Sequence, residues 1–277
     1  MGERAHYITI KKGQNTIYYD RWGATMITER LFQGEAEFIG YVREEDIVDN
    51  LMIHYFIEAV AIIDLDNKKL FFSFSRERNM SSVLNYYTVE LRKKWVDWQV
   101  EFMPNWPYDL ERITGIDYVA SQEVTDLFVC SRESFIDNVA DNRPSVYVIV
   151  KNGNELFITG TGSLVYHEGV IALGEEVIAL LMDKPTYVLP EERAFDWLEC
   201  MIIDVPAKHI YMSSCCLGQL EKYGHTWPGY QFTMGNYGYL DTLLMAGIDA
   251  LYLKMPDEEI KSRFEELIIH GTYLDKD

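Results

Sequence analysis

The stretch YITIKKGQN at residues 7–15 decides the fold, because the stretch YVIVKNGN at residues 147–154 repeats it. Each stretch has a run of aromatic and β-branched residues, which favour strands, and then a short polar segment that contains glycine. An Asn-Gly pair supplies the positive φ that a tight hairpin turn requires. Both stretches therefore predict the first strand and the turn of a β-hairpin.

The similarity continues along the chain in the same order. AIID at residues 61–64 matches MIID at residues 201–204, at the same offset of 140. WVDWQVEF at 95–102 matches WPGYQFTM at 227–234, and GID at 115–117 matches GID at 247–249, both at an offset of 132. Four ordered landmarks indicate a tandem duplication. The polar segment that ends in Pro144 places the boundary, so the predicted units are residues 1–142 and 143–277.

Each unit is predicted to contain two hairpins, one further strand and three or four helices. The hairpins require antiparallel pairing, and the helices interrupt the strands rather than alternate with every one of them. The predicted fold class is therefore α+β, a tandem duplication of a unit with about five mostly antiparallel strands. Because the two units are alike, we expect a pseudo-twofold relation between them. The predicted helices are residues 35–42, 81–92 and 124–138 in the first unit, and 175–182, 215–223 and 257–270 in the second.

Four repeated residues are interpreted as structural. Asp64 and Asp204 each end a predicted strand before a turn, where an aspartate side chain commonly accepts hydrogen bonds from the turn backbone. Trp95 and Trp227 occupy matching positions in the two copies, which indicates that both rings pack in a core or between the units. Their repetition in both copies therefore needs no catalytic explanation.

The composition is strongly acidic, and this limits the classes of binding partner. Asp and Glu number 44 against 25 Lys and Arg, a formal net charge of −19, and both halves of the chain contribute to the excess. Phosphate binding needs a basic surface, so nucleic acid is excluded as a partner. Two interpretations remain: the acidity confers solubility, or it steers the encounter with a basic protein.

The N-terminal residues and the cysteines predict the compartment. The first residues show no basic region followed by an apolar run, and no apolar stretch approaches the ~18–20 residues that span a bilayer. Cys130, Cys200, Cys215 and Cys216 have no spacing that suggests a disulfide framework. We expect a cytoplasmic protein with free thiols and no association with membranes.

No metal or cofactor is predicted, since His-Glu-x-x-His and Cys-x-x-Cys are absent and the six histidines are scattered. Candidate catalytic residues are Cys215 and Cys216, because a predicted helix starts there and its dipole would lower a thiol pKa. His209 and His225 are close enough in sequence to act as bases. The alternative interpretation is that the two cysteines are small buried residues packed at a helix start.

Candidate partner-binding residues are the carboxylates of two dense acidic segments and one tryptophan that the repeat does not share. Acidic segments of this kind are also typical of solvated helix starts, where they interact with the helix dipole. Trp22 follows a predicted strand beside Asp20 and Arg21, where its ring would be exposed as an interface anchor. The candidates are Glu44, Glu45, Asp46, Asp49, Trp22, Asp257, Glu258 and Glu259.

Two functional hypotheses from different classes follow. The first is an acidic cytosolic protein-binding module, in its most concrete form an immunity-type or antitoxin-type inhibitor of a basic protein, present as a monomer or homodimer. The alternative is a hydrolase or transferase with a site between the two repeat units, for which Cys215, Cys216, His209 and His225 would be the first candidates. A purely structural role in a large assembly is a third possibility.

Overall fold

A computed structural model describes residues 3–53, 56–74, 81–103, 106–118, 146–161, 167–183, 199–212, 223–234, 238–250 and 255–270. Within these residues it contains two β-sheets and eight α-helices. The strands are β1 (Ala5–Lys11), β2 (Gln14–Asp20), β3 (Asp46–Val48), β4 (Ala59–Asp64), β5 (Lys69–Phe74), β6 (Gln99–Phe102), β7 (Val146–Asn152), β8 (Glu155–Thr161), β9 (Glu199–Asp204), β10 (His209–Met212) and β11 (Gln231–Met234). The helices are α1 (Gly23–Phe32), α2 (Glu35–Val42), α3 (Ser81–Lys94), α4 (Trp106–Thr114), α5 (His167–Leu173), α6 (Val177–Met182), α7 (Gly238–Met245) and α8 (Asp257–His270).

The first unit is built on a six-stranded sheet with the strand order β3-β2-β1-β4-β5-β6. β1 and β2 form the first predicted hairpin, and its two-residue turn holds Lys12 and Gly13 at φ of 54° and 70°. β4 and β5 form the second predicted hairpin. β1 pairs with β4 in parallel, as β5 does with β6, because helices between these strands provide the crossovers that parallel pairing needs. The sheet is therefore mixed.

The second unit repeats this arrangement. Its described sheet has the order β8-β7-β9-β10-β11, which corresponds to β2-β1-β4-β5-β6 in the first unit. Each pair also keeps its direction: β7-β8 and β9-β10 are antiparallel, while β7-β9 and β10-β11 are parallel. The predicted class, an α+β fold of two similar units, is confirmed. The pseudo-twofold relation stays a prediction.

Trp95 and Trp227 show how closely the two units agree. The Trp95 indole nitrogen donates a hydrogen bond of 2.8 Å to the carbonyl oxygen of Leu31, and that of Trp227 donates one of 3.0 Å to Ile171. Trp95 meets the ring of Trp98 edge-on at 5.0 Å between centroids, and Trp227 meets Tyr230 in the same way at 5.2 Å. Both indoles are completely or almost completely buried. The interpretation of both as core residues is confirmed.

The register of the first hairpin differs by one residue from the match that sequence similarity suggests. Tyr7 pairs with Ala61 in the first sheet, whereas Val148, not Tyr147, pairs with Met201 in the second. The structural offset is therefore 141 in this hairpin and 140 in the next. The reason is steric: Val148 lies on the sheet face that packs against α5 and α6, while Tyr147 lies on the face that packs against α7.

Both faces of each sheet are covered by helices. In the second unit, Val148 and Val150 pack with residues of α5, α6 and Trp227, and Ile149 packs with α7 on the opposite face. In the first unit, Ile8 packs with Leu110 of α4 on one face. On the other face the Tyr7 ring contacts Phe38 of α2. This two-sided burial accounts for the continuous apolar runs in β4 and β9.

The C-terminal helix α8 has the predicted bounds, and it packs in the first unit although it follows the second along the chain. The described residues divide into one unit of 3–118 with 255–270 and another of 146–250. The Thr28 hydroxyl of α1 donates a 3.0 Å hydrogen bond to the carbonyl oxygen of Leu267 in α8. Phe264 of α8 also contacts Phe32 and Tyr86 edge-on. The predicted helices 124–138 and 215–223 and the boundary at residue 142 lie outside the described residues, so they stay predictions.

His6 of β1 is a buried titratable side chain in the first unit. Its ring is 1% exposed and lies 5.4 Å from the Tyr19 ring, centroid to centroid. The backbone N–H of Met52 donates to its Nε2 at 3.4 Å. Burial lowers the pKa of His6 to about 4, and the nearby backbone of Tyr18 partly offsets this effect. The neutral ring is therefore the folded form over most of the physiological range.

We expect the first unit to lose about 2 kcal/mol of stability through His6 when the pH falls from 7.5 to 5. The folded pKa lies below the ordinary value of 6.5, so the unfolded chain binds the proton first and acid favours unfolding. Glu45 has the opposite effect, because its pKa is raised in the folded state. Urea unfolding of the wild type and of His6→Asn at both pH values isolates the contribution of His6. An equal pH dependence of the two proteins would contradict this assignment.

Candidate functional site

The first acidic segment forms the edge of the first sheet rather than a helix start. Helix α2 ends at Val42, and two turn hydrogen bonds follow, from Glu44 N to Tyr41 O at 3.0 Å and from Glu45 N to Val42 O at 3.3 Å. The chain then enters β3, which pairs antiparallel with β2. In the described part of the chain β3 has no second neighbour. The short strand therefore places the acidic residues on a sheet edge.

Trp22 lies beside this edge because Asp20 fixes the loop between β2 and α1. One carboxylate oxygen of Asp20 accepts a 2.8 Å hydrogen bond from Trp22 N, and the other accepts a short one from the Tyr41 hydroxyl of α2. The Trp22 ring is 56% exposed, and the Arg21 guanidinium lies 5.7 Å from its centroid. Gly23 follows, and a Cβ there would overlap the Tyr7 hydroxyl and the Asp20 carboxylate. Glycine is thus required for this close approach.

Strand pairing shows which predicted residues lie together. Asp46 pairs with Tyr19, the residue before Asp20, so the start of β3 lies at the Trp22 end of β2. Asp49 lies beyond the opposite end of β3, roughly 10 Å away at ~3.3 Å per strand residue. Ile47, between the two ends, is 70% exposed. We call residues 20–22, residues 44–47 and Asp49 the acidic edge. Asp49 lies at the far end of this surface from Trp22.

The electrostatics of the acidic edge favour a bound cation. Burial and then the charge of Asp20 raise the pKa of Glu45. Burial and the hydrogen bond to Asp20 raise the pKa of Tyr41, so this phenol stays neutral. The Arg30 guanidinium lies 4.5 Å from the centroid of the Tyr41 ring and partly offsets the acidic charge. An incoming basic side chain would relieve the repulsion between the carboxylates.

The sequence pattern indicated Trp22 and Glu45 but not Tyr41, the side chain that links their two segments through Asp20. Tyr41 is the hydrogen-bond donor to Asp20, and Tyr7 is buried beside it with ring centroids 5.9 Å apart. The only signal in the sequence was that Asp20 lies two residues before Trp22. A contact between the end of a strand and the last turn of a helix has no local pattern, because it depends on how α2 packs.

The second predicted acidic segment occupies the first turn of α8. Asp257, Glu258 and Glu259 lie at the N-terminal end of this helix, where carboxylates interact favourably with the helix dipole. The Glu259 carboxylate also lies 3.7 Å from the Arg263 side chain, one turn later. These local interactions explain the segment without a partner. Its predicted role in binding stays a prediction.

The alternative catalytic residues are only partly within the described chain. His209 starts β10, where its Nε2 lies 2.7 Å from the Thr233 hydroxyl and its ring stacks on Tyr211 at 4.3 Å. His225 is exposed in a turn of 3-10 helix, residues 224–226. Cys215 and Cys216 lie outside the described residues. The described geometry therefore explains His209 as a packed, hydrogen-bonded side chain, and the catalytic assignment stays a prediction.

Asp64 and Asp204 have the structural role that their position predicts. Asp64 accepts hydrogen bonds from the backbone N–H groups of Asp66 and Asn67, each at 3.0 Å. Asp204 accepts one of 3.1 Å from Ala207 N and lies 2.9 Å from the Lys151 ammonium. Each carboxylate stabilises the turn of the second hairpin in its unit. Their repetition is therefore explained by the fold.

The rest of the described residues offer few other candidate sites. No group of three or more His, Cys, Asp or Glu in them is arranged to hold a metal ion, and none of their helices is long and apolar enough to cross a membrane. An open depression of about 500 Å³ lies at the end of α4. Its lining includes Arg112 and Asp109, which form an ion pair with each other at 2.9 Å. The Cys200 thiol is buried, which raises its pKa and makes it a poor nucleophile.

Comparisons with family models, with curated proteins and with solved structures found no match to this chain. A functional proposal must therefore come from the chemistry of the residues themselves. Among the described residues, the acidic edge combines exposed apolar side chains, clustered carboxylates and a strand edge.

Proposed function

We propose that this protein is a binding module that engages a basic protein partner through the acidic edge. The observation that carries the proposal is the exposed Trp22 ring, in a loop that the Asp20 carboxylate fixes at the end of β2 where the acidic strand β3 begins. Interface hot spots are enriched in tryptophan, tyrosine and arginine, and the weaker contacts around such an anchor exclude water from it. The net charge of −19 would attract a basic partner over a distance and raise the association rate.

The most concrete form of the proposal is an immunity-type or antitoxin-type inhibitor in the cytoplasm. A toxin that acts on nucleic acid or another anionic substrate has a basic active site, and carboxylates can occupy it in place of phosphates. Such an inhibitor needs neither cofactor nor catalytic group, and it would work as a monomer or homodimer. Ile47, 70% exposed beside the carboxylates, would add apolar contact to the charged one.

A pull-down from lysate of the source cell tests the proposal, with retained proteins identified by mass spectrometry at low salt and at about 0.5 M salt. Salt screens exposed charges, since the Debye length falls from ~10 Å at 0.1 M to a few Å at high salt. We expect one stoichiometric basic protein at low salt and much less at high salt. A blank result at both concentrations would contradict the proposal.

Charge variants test whether the captured protein binds at the acidic edge. The test variant combines Glu44→Gln, Asp46→Asn and Asp49→Asn, three exposed carboxylates. At about 0.5–1 kcal/mol for each exposed charge contact, we expect affinity to fall at least about tenfold. The matched control combines Glu155→Gln, Glu176→Gln and Asp183→Asn, which are exposed in the second unit and remove the same charge. Equal losses in both variants would indicate net charge alone and would contradict a specific surface.

A further inference from the structure

β3 leaves one side of its backbone available in the described part of the chain. It is the last strand of the first sheet and pairs only with β2, through Ile17↔Val48, Tyr18↔Ile47 and Tyr19↔Asp46. A strand at a sheet edge presents unpaired N–H and C=O groups that can pair with an added strand. The acidic edge thus includes main-chain groups as well as side chains.

The side chains of β3 select what can pair with it. Natural sheet edges are commonly protected by lysine, proline or inward-pointing charges. β3 has neither lysine nor proline, so its protection is limited to its short length and the charge of Asp46, and Ile47 at its centre is 70% exposed. Carboxylates flank it instead, with Glu44 and Asp46 at one end and Asp49 at the other. They would repel an acidic strand and attract a basic one.

The same charges argue against a second copy of this chain as the added strand. Antiparallel pairing of two β3 edges about Ile47 would place Glu45 of one copy opposite Asp49 of the other, and like charges directly opposite each other destabilise a strand pair. Glu45 already has a raised pKa because of burial and the charge of Asp20, so further negative charge would be unfavourable. The occupant must therefore differ from this chain in charge.

We propose that the basic partner contributes an extended segment that adds to the first sheet alongside β3. This rests on the proposed function and specifies how the partner is recognised. Because successive side chains of a strand alternate between the two faces, a residue opposite Asp46 would be basic and the next, opposite Ile47, apolar. Main-chain hydrogen bonds supply affinity in such strand addition, while the side chains supply specificity.

A peptide of about eight alternating lysine and valine residues is a suitable probe, with the same peptide carrying glutamate in place of lysine as control. We expect the lysine peptide to shift the backbone amide resonances of Asp46, Ile47 and Val48 saturably and to slow their hydrogen exchange. The glutamate peptide should do neither. Absence of binding by the lysine peptide would overturn the inference.

Main-chain methylation separates strand addition from simple charge attraction. Alternate backbone N–H groups of a strand point to opposite edges. Methylation of the backbone nitrogen of every lysine therefore blocks one edge of the peptide, and methylation of the backbone nitrogen of every valine blocks the other. We expect one of the two methylated peptides to bind at least about tenfold more weakly than the parent. If both bind as tightly as the parent, strand addition is wrong, although an acidic binding surface remains supported.

The charge variants keep the two proposals distinguishable. The variant with Glu44→Gln, Asp46→Asn and Asp49→Asn should bind the lysine peptide more weakly than the wild type. The control with Glu155→Gln, Glu176→Gln and Asp183→Asn should bind it as the wild type does. If both variants bind the peptide as the wild type does, the acidic edge is not the binding surface and both proposals fail.

Discussion

Trp227→Ala is expected to lower the free energy of unfolding of the second unit by about 3–5 kcal/mol, the usual cost of removing a large buried aromatic side chain. The indole is 1% exposed and packs edge-on against Tyr230. Its loss also leaves the buried carbonyl oxygen of Ile171 without the hydrogen bond from the indole nitrogen. Trp95→Ala is expected to have the same effect on the first unit, where the carbonyl of Leu31 loses its donor.

Hydrogen exchange with mass spectrometry measures this effect separately for each unit, in urea below the global transition. Trp227→Ala should accelerate exchange in β7 to β11, and Trp95→Ala should accelerate it in β1 to β6. Trp→Phe at either position keeps a ring but removes the hydrogen bond, so about 1–3 kcal/mol of loss is expected. A small effect at one tryptophan and a large one at the other would contradict their equivalence.

Leu267→Ala in α8 is expected to destabilise the first unit by about 2–5 kcal/mol, although α8 follows the second unit along the chain. The side chain of Leu267 is 1% exposed, and its carbonyl receives the hydrogen bond from Thr28 of α1. The neighbouring Phe264 contacts Phe32 of α1 and Tyr86 of α3. Loss of this packing should therefore loosen α1 and α3.

Glu266→Ala provides the control for Leu267→Ala, because it changes an exposed neighbour on the same helix. Hydrogen exchange should accelerate in α1 and α3 for Leu267→Ala and remain as in the wild type for Glu266→Ala. Faster exchange confined to β7–β11 would show that α8 belongs with the second unit and would contradict the division of the chain described above.

Local sequence signals predicted much of the fold. Strand-forming residues and glycine-containing turns predicted the first hairpin of each unit, apolar runs followed by polar or proline-containing turns predicted the second, and α2 and α8 begin and end at the predicted residues. The match between Trp95 and Trp227 predicted two equivalent core positions. These features were accessible because strand alternation, turn conformation and helix periodicity are properties of short segments.

Features that depend on long-range packing could not be predicted from the sequence. The match of Tyr7 with Tyr147 is by residue identity, whereas the structural counterpart of Tyr7 is Val148, because the face of each sheet is set by helices distant in sequence. The apolar stripe of α8 predicts that the helix packs on a core, but not on which unit. Likewise, nothing local indicates that Tyr41 reaches Asp20 and so joins Trp22 to the acidic residues of β3.

Hydrogen exchange on the complex with the partner isolated in the pull-down tests most directly whether the acidic edge is the binding surface. We predict that binding slows exchange at residues 44–49 and in the loop at residues 20–23, while β7–β11 exchange as in the free protein. Trp22→Ala should weaken the complex by about 2 kcal/mol, as expected for an aromatic anchor. Protection confined to other segments, with residues 20–23 and 44–49 unchanged, would contradict the proposal.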